Sequence, residues 1–207
     1  IRDMEVTDNV VDLMVQKINE LPASDREILK IAACIGNRFD LESMSEITEK
    51  PPESILSDMA EALNSGLLHF SGNMCYFLHD RIQEAAYSLV SESRRPKIHY
   101  AVGMHTYRRT QTHALRDKIF YIVNQLNAGR SEITDRAATM DLASLNQIAG
   151  LKAKESAAYE AALSYLETGQ ALLKETDWSE NYALCYELFF QAAAAAYLTA
   201  DFSRMEA

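Results

Sequence analysis

The segment LLHFSGNMCYFLHDRIQEAAYSLV, residues 67 to 90, changes its hydrophobic pattern along its length. Two short runs rich in apolar and aromatic residues, LLHF and MCYFL, flank the turn SGN, in which Gly72 and Asn73 supply the turn chemistry. Apolar runs separated in this way predict a two-stranded β-hairpin. After His79 and Asp80, apolar residues recur at helical spacing up to Val90, which predicts a helix that leaves the hairpin.

The residues before the hairpin predict a series of helices. Apolar residues at helical spacing between residues 8 and 21 predict the first helix, with Asp8 as its cap. Pro22 then ends that helix, and Ser24 followed three residues later by Glu27 predicts a capping box for the second one. The apolar positions of this second helix are dense, so we expect it to be the central buried helix.

Two further helices are predicted between Gly36, which ends the second helix, and the hairpin. Asp40 is an N-cap candidate for the short helix LESMSEITEK. The segment 51–66 begins with two prolines and ends at Gly66, which predicts a fourth helix. Three or four helices followed by a hairpin is the order of a winged helix, and we predict that fold for residues 1–90.

Residues 91–207 are predicted to be helical throughout. A long helix is expected over residues 94–112, and the last two complete helices lie in AAYEAALSYLETGQALL and ENYALCYELFFQAAAAAYLTA. Small residues at close-packing positions favour antiparallel, tetratricopeptide-like repeats, although AAYEAA and DFSRMEA are further apart than the usual period. The predicted fold class is therefore mainly α. Because the chain opens without Met and stops inside a predicted helix, we expect a fragment that is truncated at its C-terminal end.

The composition argues against several functional classes. Hydrophobic residues make up 48% and charged residues 24% of the 207 residues, and the net charge is -10. An acidic chain is a poor ligand for nucleic acid, because that affinity comes from Lys and Arg. No apolar run approaches the ~20 residues that cross a bilayer. We therefore expect no membrane partner. The cysteines Cys34, Cys75 and Cys185 are too far apart for a zinc pattern or a disulfide framework, so we expect a cytoplasmic protein.

No motif of known catalytic chemistry occurs in the sequence. The seven glycines form neither a phosphate loop nor a dinucleotide fingerprint, and a kinase catalytic loop and a nucleophile elbow are missing as well. No local motif assembles a nucleophile, a base and an orienting group. We therefore predict no catalytic residue, no enzyme activity and no cofactor for this fragment.

The histidines are candidate metal ligands that the spacing does not favour. His69 and His79 lie on opposite arms of the predicted hairpin with Cys75 between them, but the arrangement matches no zinc signature. We therefore predict no metal site. The remaining histidines are expected on helix surfaces: His99, His105 and His113.

The predicted fourth helix argues against DNA recognition. Within residues 51–66 it carries Glu53, Asp58 and Glu61 and not one Lys or Arg, whereas groove readout and phosphate contacts need cationic donors. The basic cluster in residues 94–97 is local and is expected to be a solvated helix start. A protein-contact role is therefore favoured over a DNA-binding transcriptional regulator, which stays an alternative.

The pair His79-Asp80 lies where the hairpin ends and the next helix begins. We expect Asp80 to cap this helix, because a carboxylate there accepts backbone N–H bonds and meets the positive end of the helix dipole. Two roles are open for His79. Its imidazole either points into the core and bonds a carbonyl, or donates to an anionic phosphate presented by a neighbouring domain.

Four separated blocks of the sequence carry a family resemblance: ELPASDREILKIAACIGNRFDLESMSEITEK, YFLHDRIQEAAYSLV, IFYIVNQLNAGRSEITD and AKESAAYEAALSYLETGQALL. In this order they resemble the segment after the ATPase core of large bacterial multi-domain sensor kinases. Those proteins combine a Ser/Thr-kinase-like domain, a STAND ATPase of the AAA type, helical repeats, GAF-type sensors and a histidine kinase. The resemblance implies a winged helix followed by the start of the helical repeats.

The resemblance also implies a role for Leu78-His79-Asp80. The STAND class carries a His-Asp motif in its winged helix, MHD in its animal and plant members, and Leu78 replaces the Met here. His79 would then contact the β-phosphate of ADP held by the ATPase core and help to keep the closed, inactive state, with Asp80 as the cap and motif partner. ATP and ADP are accordingly expected in the parent protein and not in this fragment.

The function expected from these observations is that of a non-catalytic regulatory fragment. It would couple the nucleotide state of the parent's own ATPase core to the binding of a protein partner on the helical repeats. A stand-alone protein-binding repeat scaffold is a further alternative. In that case we expect exposed aromatic residues such as Tyr159 or Tyr197 on the helical surface.

Overall fold

The computed structural model describes the backbone of residues 2–199 and the side chains of residues 10–199. The chain divides into two compact units, Ile1–His105 and Thr106–Ala207. Most of the described residues are helical, and a small antiparallel sheet lies in the first unit. The mainly α fold class that the sequence predicts is confirmed.

The first unit contains helices and three short strands, which follow one another along the chain as α1 (Arg2–Asn19), α2 (Ala23–Ile35), β1 (Arg38–Asp40), α3 (Leu41–Thr48), α4 (Pro52–Asp58), α5 (Ala60–Asn64), β2 (Leu68–Ser71), β3 (Met74–Phe77) and α6 (Asp80–Ser88). Helix α7 (Arg95–Arg109) contains the division between the units. The later helices are α8 (Thr112–Ala128), α9 (Arg136–Glu155), α10 (Tyr159–Gln170), α11 (Asp177–Glu180) and α12 (Tyr182–Leu198), with a 3-10 turn at Arg130–Glu132.

The sheet contains the predicted hairpin and one strand that the sequence did not reveal. Strands β2 and β3 pair antiparallel around a turn in which Gly72 has φ 63°, a left-handed conformation that glycine adopts without steric penalty. Strand β1 pairs with the other side of β3, with Phe39 opposite Cys75, so the order is β1-β3-β2. With three residues, β1 is too short for a recognisable period.

The predicted caps had mixed outcomes. Asp40 caps α3, since its Oδ1 accepts a hydrogen bond of 2.7 Å from the N–H of Ser43. The capping box at Ser24 was wrong: α2 begins directly after Pro22, so Ser24 lies inside the first turn and makes no cap bond. The cap at Asp8 was also wrong, because α1 begins at Arg2 and Asp8 lies within the helix.

The predicted fourth helix is two helices, separated at Met59, whose φ is -117° and ψ 10°. The carboxylate of Asp25 on α2 lies at this break. Asp25 is only 2% exposed, and its Oδ1 accepts a hydrogen bond of 2.9 Å from the N–H of Ala62 in the first turn of α5. A residue distant in sequence thus supplies the N-terminal acceptor that α5 lacks locally.

The core of the first unit forms where α6 packs against α1 and α2 and the sheet closes one side. Its largest fully buried side chains include Ile18, Ile28, Leu29, Phe39, Met44, Ile55, Met59 and Leu67. Cys34 and Cys75 are buried in the same core, and burial raises the pKa of each thiol to about 11. Both cysteines therefore serve as small apolar residues.

In the second unit, α9 packs against α8 and α10, and α10 packs against α12. Two glycines permit close approach. A Cβ on Gly150 would lie 2.6 Å from Leu166 Cγ, and one on Gly169 would lie 2.7 Å from Leu188 Cδ2. Each glycine therefore leaves space for a leucine of the neighbouring helix.

The contact between α8 and α9 contains a reciprocal amide pair. Asn146 is fully buried, and it and Asn127 each donate a side-chain hydrogen bond of 2.9 Å to the other. Asn146 also donates to the carbonyl of Leu142 at 3.0 Å. Because a shift of either helix would leave a buried amide unpaired, the pair fixes the register of α8 on α9.

Replacing Asp25 with Ala is expected to lower the free energy of unfolding by about 1–3 kcal/mol, because the N–H of Ala62 loses its acceptor in the core. Urea denaturation measures this change. Asp12→Ala is the matched control, since Asp12 is an exposed acid on α1 and its loss is expected to change stability by less than ~0.5 kcal/mol. Equal effects of the two variants would contradict the role of Asp25.

Gly150→Ala is expected to destabilise the chain by about 1–3 kcal/mol, although Ala usually favours a helix over Gly. The new Cβ meets the branch atom Leu166 Cγ and the carbonyl of Ala162, whereas in Gly169→Ala it meets the terminal Leu188 Cδ2, which can rotate away. Gly150→Ala should therefore be less stable than Gly169→Ala, and thermal unfolding of both variants measures this difference. A Gly150→Ala variant that is more stable than Gly169→Ala would contradict the close contact at Gly150.

Candidate functional site

The segment Leu78-His79-Asp80 leaves the sheet at the end of its central strand. Phe77 N–H donates to the carbonyl of Asn37 at 3.0 Å, and Leu78 N–H donates to the carbonyl of Leu67 at 3.2 Å. Phe77 is buried, but Leu78 is 58% exposed and the next two residues are exposed as well. Hydrogen bonds to both neighbouring segments thus hold the backbone at the point where the side chains become exposed.

His79, and not Asp80, occupies the N-cap position of α6. Its backbone is extended, with φ -147° and ψ 143°, and its carbonyl accepts a hydrogen bond of 2.9 Å from Ile82 N–H. Asp80 is already the first helical residue and its side chain makes no cap bond, so the predicted cap role was wrong. Its carboxylate still lies in the first turn, where a negative charge is favoured by the helix dipole.

The side chain of His79 does not point into the core, so that reading of the sequence was wrong. The residue is exposed, and its ring makes no cap bond to α6. An exposed imidazole next to an exposed leucine and a carboxylate is able to donate to an anion or contact another protein surface. These three residues are the candidate site.

Helix α6 supports the site firmly. Its buried face contains Ile82, Ala85 and Ala86. Gln83 Nε2 donates a hydrogen bond of 3.1 Å to the carbonyl of Ala33 on α2. Arg81 is engaged in an ion pair of 2.6 Å with Glu84 on the exposed face. The start of α6 is therefore held by packing and by a long-range hydrogen bond, which is what a preorganised contact surface requires.

A second polar cluster, which the sequence did not reveal, joins α3 and α7. His105 was expected on a helix surface, but its side chain is only 11% exposed. Its Nδ1 lies 2.9 Å from Glu46 Oε2, and its Nε2 lies 3.2 Å from Ser43 Oγ. The hydroxyl of Ser43 in turn donates to Asp40 Oδ2 at 2.7 Å.

This cluster contains the residue types of a Ser-His-acid triad, but the serine hydroxyl does not donate its proton to the imidazole. The single proton of the Ser43 hydroxyl goes to Asp40, so Nε2 of His105 must donate to Ser43 Oγ and is not placed to accept from it. In a catalytic triad the imidazole accepts the serine proton. The contacts of His105 with Ser43 and Glu46 join α3 to α7.

The other histidines separate into bonded and exposed ones. His99, expected on a helix surface, is partly buried, and its Nε2 lies 3.0 Å from the hydroxyl of Tyr87. His113 is exposed as expected, and so is His69 on β2. Cys75 is fully buried between exposed His69 and His79, so these three do not converge. Within residues 10–199 no three side chains are grouped as metal ligands.

Two arginines at the start of α7 have partners within the first unit. Arg94 pairs with Glu27 at 2.7 Å, and the guanidinium of Arg95 lies 4.8 Å from the ring centre of Tyr87. On α4, Asp58 is engaged by Lys50 at 2.6 Å.

Of the two aromatic residues expected on the helical surface, Tyr197 is 62% exposed and Tyr159 is half-buried.

Within the described part of the chain, no helix is both long enough and apolar enough to cross a membrane.

Asp40→Ala is expected to lower the free energy of unfolding at neutral pH by about 0.5–2 kcal/mol, the range for loss of an N-cap. Burial raises the pKa of the Asp40 carboxyl, but the hydrogen bonds from the N–H and hydroxyl of Ser43, together with the charge of His105, outweigh it, so the pKa is lowered. The carboxylate therefore stabilises the fold above the pKa of an unfolded Asp, ~3.9, and that contribution is lost as the pH falls through the lower folded-state pKa.

Urea denaturation at neutral and acidic pH measures this difference. The difference in the free energy of unfolding between wild type and Asp40→Ala should become smaller at low pH. Asp80→Ala is the control, because Asp80 makes no cap bond and its loss should change stability by less than ~0.5 kcal/mol at neutral pH. A gap at Asp40 that is independent of pH would contradict the role of its carboxylate.

The chain is similar to the hybrid signal transduction histidine kinase G of Dictyostelium discoideum, with 26% identity over 263 aligned positions that include 97% of this chain. The chain spans 8% of the length of that protein. No protein-family model matches the chain, and no solved structure matches it. The chain is thus similar, along nearly its whole length, to one segment of a much longer histidine kinase.

Proposed function

We propose that this chain is a non-catalytic regulatory segment of a signal-transduction protein that contains an ATPase domain. The observation that carries the proposal is the exposed Leu78-His79-Asp80 segment on a firmly held helix start. Such a segment suits a contact with another domain. The similarity to a segment of a histidine kinase supports a role in signalling.

In this proposal residues 1–90 form a winged helix that closes on the parent's ATPase core. The order of helices before the hairpin, and the pairing of β1 with β3 in an antiparallel sheet, support this assignment. Helices α4 and α5 carry no Lys or Arg, and α5 is capped by the acidic Asp25. The domain is therefore better suited to protein contact than to DNA, whose phosphates require cationic partners.

We assign His79 the part of an inter-domain sensor of bound ADP, with ATP and ADP held by the ATPase core of the parent. Its imidazole is exposed, and it lies at the N-terminus of α6, where the dipole also favours an anion. A phosphate oxygen would accept a hydrogen bond from the ring. Exchange of ADP for ATP would then bias the domain arrangement between two states.

The second unit is proposed to be a tetratricopeptide-like array that binds a protein partner. A short connection joins α9 to α10, which pack on each other, and α10 packs in turn on α12, which follows it after α11, as successive helices do in helical repeats. The array would sense or transmit the state of the ATPase core.

His79→Ala in the complete protein is expected to weaken ADP binding roughly 10- to 100-fold, the effect of losing one hydrogen bond to a charged group. Titration with a fluorescent ADP analogue measures the affinity. His69→Ala is the matched control, because His69 is exposed on β2 of the same unit, and its loss should leave ADP affinity unchanged.

The stability of this chain separates a sensing role from a folding defect. Because His79 is exposed and its ring makes no cap bond, His79→Ala should change the free energy of unfolding by less than ~0.5 kcal/mol. Unchanged ADP affinity in that variant would overturn the assignment of His79. A complete protein that does not bind ADP at all would overturn the ATPase-coupled function.

A further inference from the structure

The surface formed by α11 and α12 carries an aromatic stripe that consists of Trp178, Tyr182, Tyr186, Phe189 and Phe190. Tyr182, Tyr186 and Phe190 follow one another at successive turns of α12 and are exposed by 62%, 46% and 53%. The rings of Tyr182 and Tyr186 stack with centres 6.0 Å apart, and those of Tyr186 and Phe190 with centres 5.8 Å apart. Trp178 supports the stripe from α11, with its ring centre 5.3 Å from that of Phe189.

The stripe continues into an apolar groove of different shape. Its floor is made by Ala193 and Ala194, and its walls by Phe190, Tyr197 and Leu198. The N-terminal half of the exposed face is therefore bulky, and the C-terminal half is recessed. Glu187 is the only charged residue of α12, and its carboxylate accepts a hydrogen bond from Gln191.

The size of this face is that of an interface. With ~200 Å² for a whole aromatic side chain, the exposed fractions of the five stripe residues and Tyr197 leave roughly 600 Å² of aromatic surface in water. A typical monomer exposes at most about 300–600 Å² in its largest apolar patch. A standard protein interface buries about 800 Å² on each partner, so this face could supply most of one side.

We propose that the aromatic stripe of α12 pairs with the same stripe of a second copy of this chain, in an antiparallel arrangement about a two-fold axis near Phe190. With that axis, Tyr186 of one copy lies over the partner's Ala194, and Tyr182 lies against the partner's Leu198. The bulky half of each helix fills the recessed half of the other. A two-fold pair of this kind is closed and is the commonest oligomer of soluble proteins.

The shape of the face favours a second copy. The inner face of α12 already uses a large side chain against a small one, since Leu188 fills the space beside Gly169. The outer face can also pair large residues with small ones, but only with a helix that has large residues opposite the recessed half of α12. An antiparallel copy of α12 has them there. The stacked rings are already ordered, which reduces the side-chain entropy lost on pairing.

Charge also sets the expected response to salt. The chain carries a net charge of -10, so two copies repel one another, although α12 itself contains a single charged residue. Salt screens this repulsion. The dimer should therefore tighten as the salt concentration rises, whereas a contact with a basic partner would weaken.

Sedimentation equilibrium of the chain over micromolar to near-millimolar concentrations tests the proposal. A reversible monomer–dimer equilibrium is expected. Phe190→Asp, which places two carboxylates at the axis, should raise the dimer dissociation constant at least ~30-fold, as for loss of a hot-spot residue. Leu13→Asp is the control, because Leu13 is 56% exposed on α1, outside the proposed interface, and its dimer should be as tight as that of wild type.

Cross-linking tests the geometry without relying on a destabilising charge. Under mild oxidation, Phe190→Cys should form a covalent dimer, since the two positions meet at the axis. Tyr182→Cys should not, because the two copies of residue 182 would lie roughly 24 Å apart along the helices. The native cysteines Cys34, Cys75 and Cys185 are buried and give a low background.

Three results would overturn the proposal. The first is a chain that stays monomeric over the whole concentration range. The second is a Phe190→Asp variant that dimerises as tightly as wild type. The third is self-cross-linking of Tyr182→Cys as fast as that of Phe190→Cys, which would exclude the antiparallel two-fold arrangement.

Discussion

The position of β3 at the centre of the sheet is the constraint on which the candidate site depends. Because β1 and β2 pair with both of its edges, β3 has no free edge and its end is fixed by hydrogen bonds at Phe77 and Leu78. The chain can then only turn outward, and the packing of α6 on α2 determines where the helix begins. An exposed imidazole held at a defined place is the consequence. A loop of the same composition without this frame would suffer a larger entropy loss on binding a partner.

The two units use different devices to fix their helices. In the first unit, buried and half-buried carboxylates act as helix acceptors: Asp40 for α3, and Asp25 for α5. In the second unit, glycine–leucine contacts and the Asn127–Asn146 pair set the spacing and register of neighbouring helices. Close contacts of this kind suit stacked helices. The exposed face of α12 carries large aromatic side chains.

The sequence predicted what is encoded locally. The turn at Gly72, the hairpin strands and the cap at Asp40 each follow from a few adjacent residues. It failed where distant residues decide. The break at Met59 is completed by Asp25 from another helix, and His105 meets Ser43 and Glu46 only through tertiary packing. Strand β1 exists because β3 offers it an edge. Ser24 and Asp80 have the right residue type for a cap, but each helix begins one or more residues before the predicted place. At the candidate site, the sequence identified the segment, and the structure changed the roles within it.

An experimental structure of the complete protein with bound ADP would test the central claim most directly. The account predicts a ring nitrogen of His79 within about 3 Å of a phosphate oxygen, the distance of a charge-assisted hydrogen bond. It also predicts that Leu78 loses its exposure to solvent against the ATPase domain. A structure in which ADP is bound while His79 stays in solvent, with all phosphate contacts made by other residues, would contradict the account.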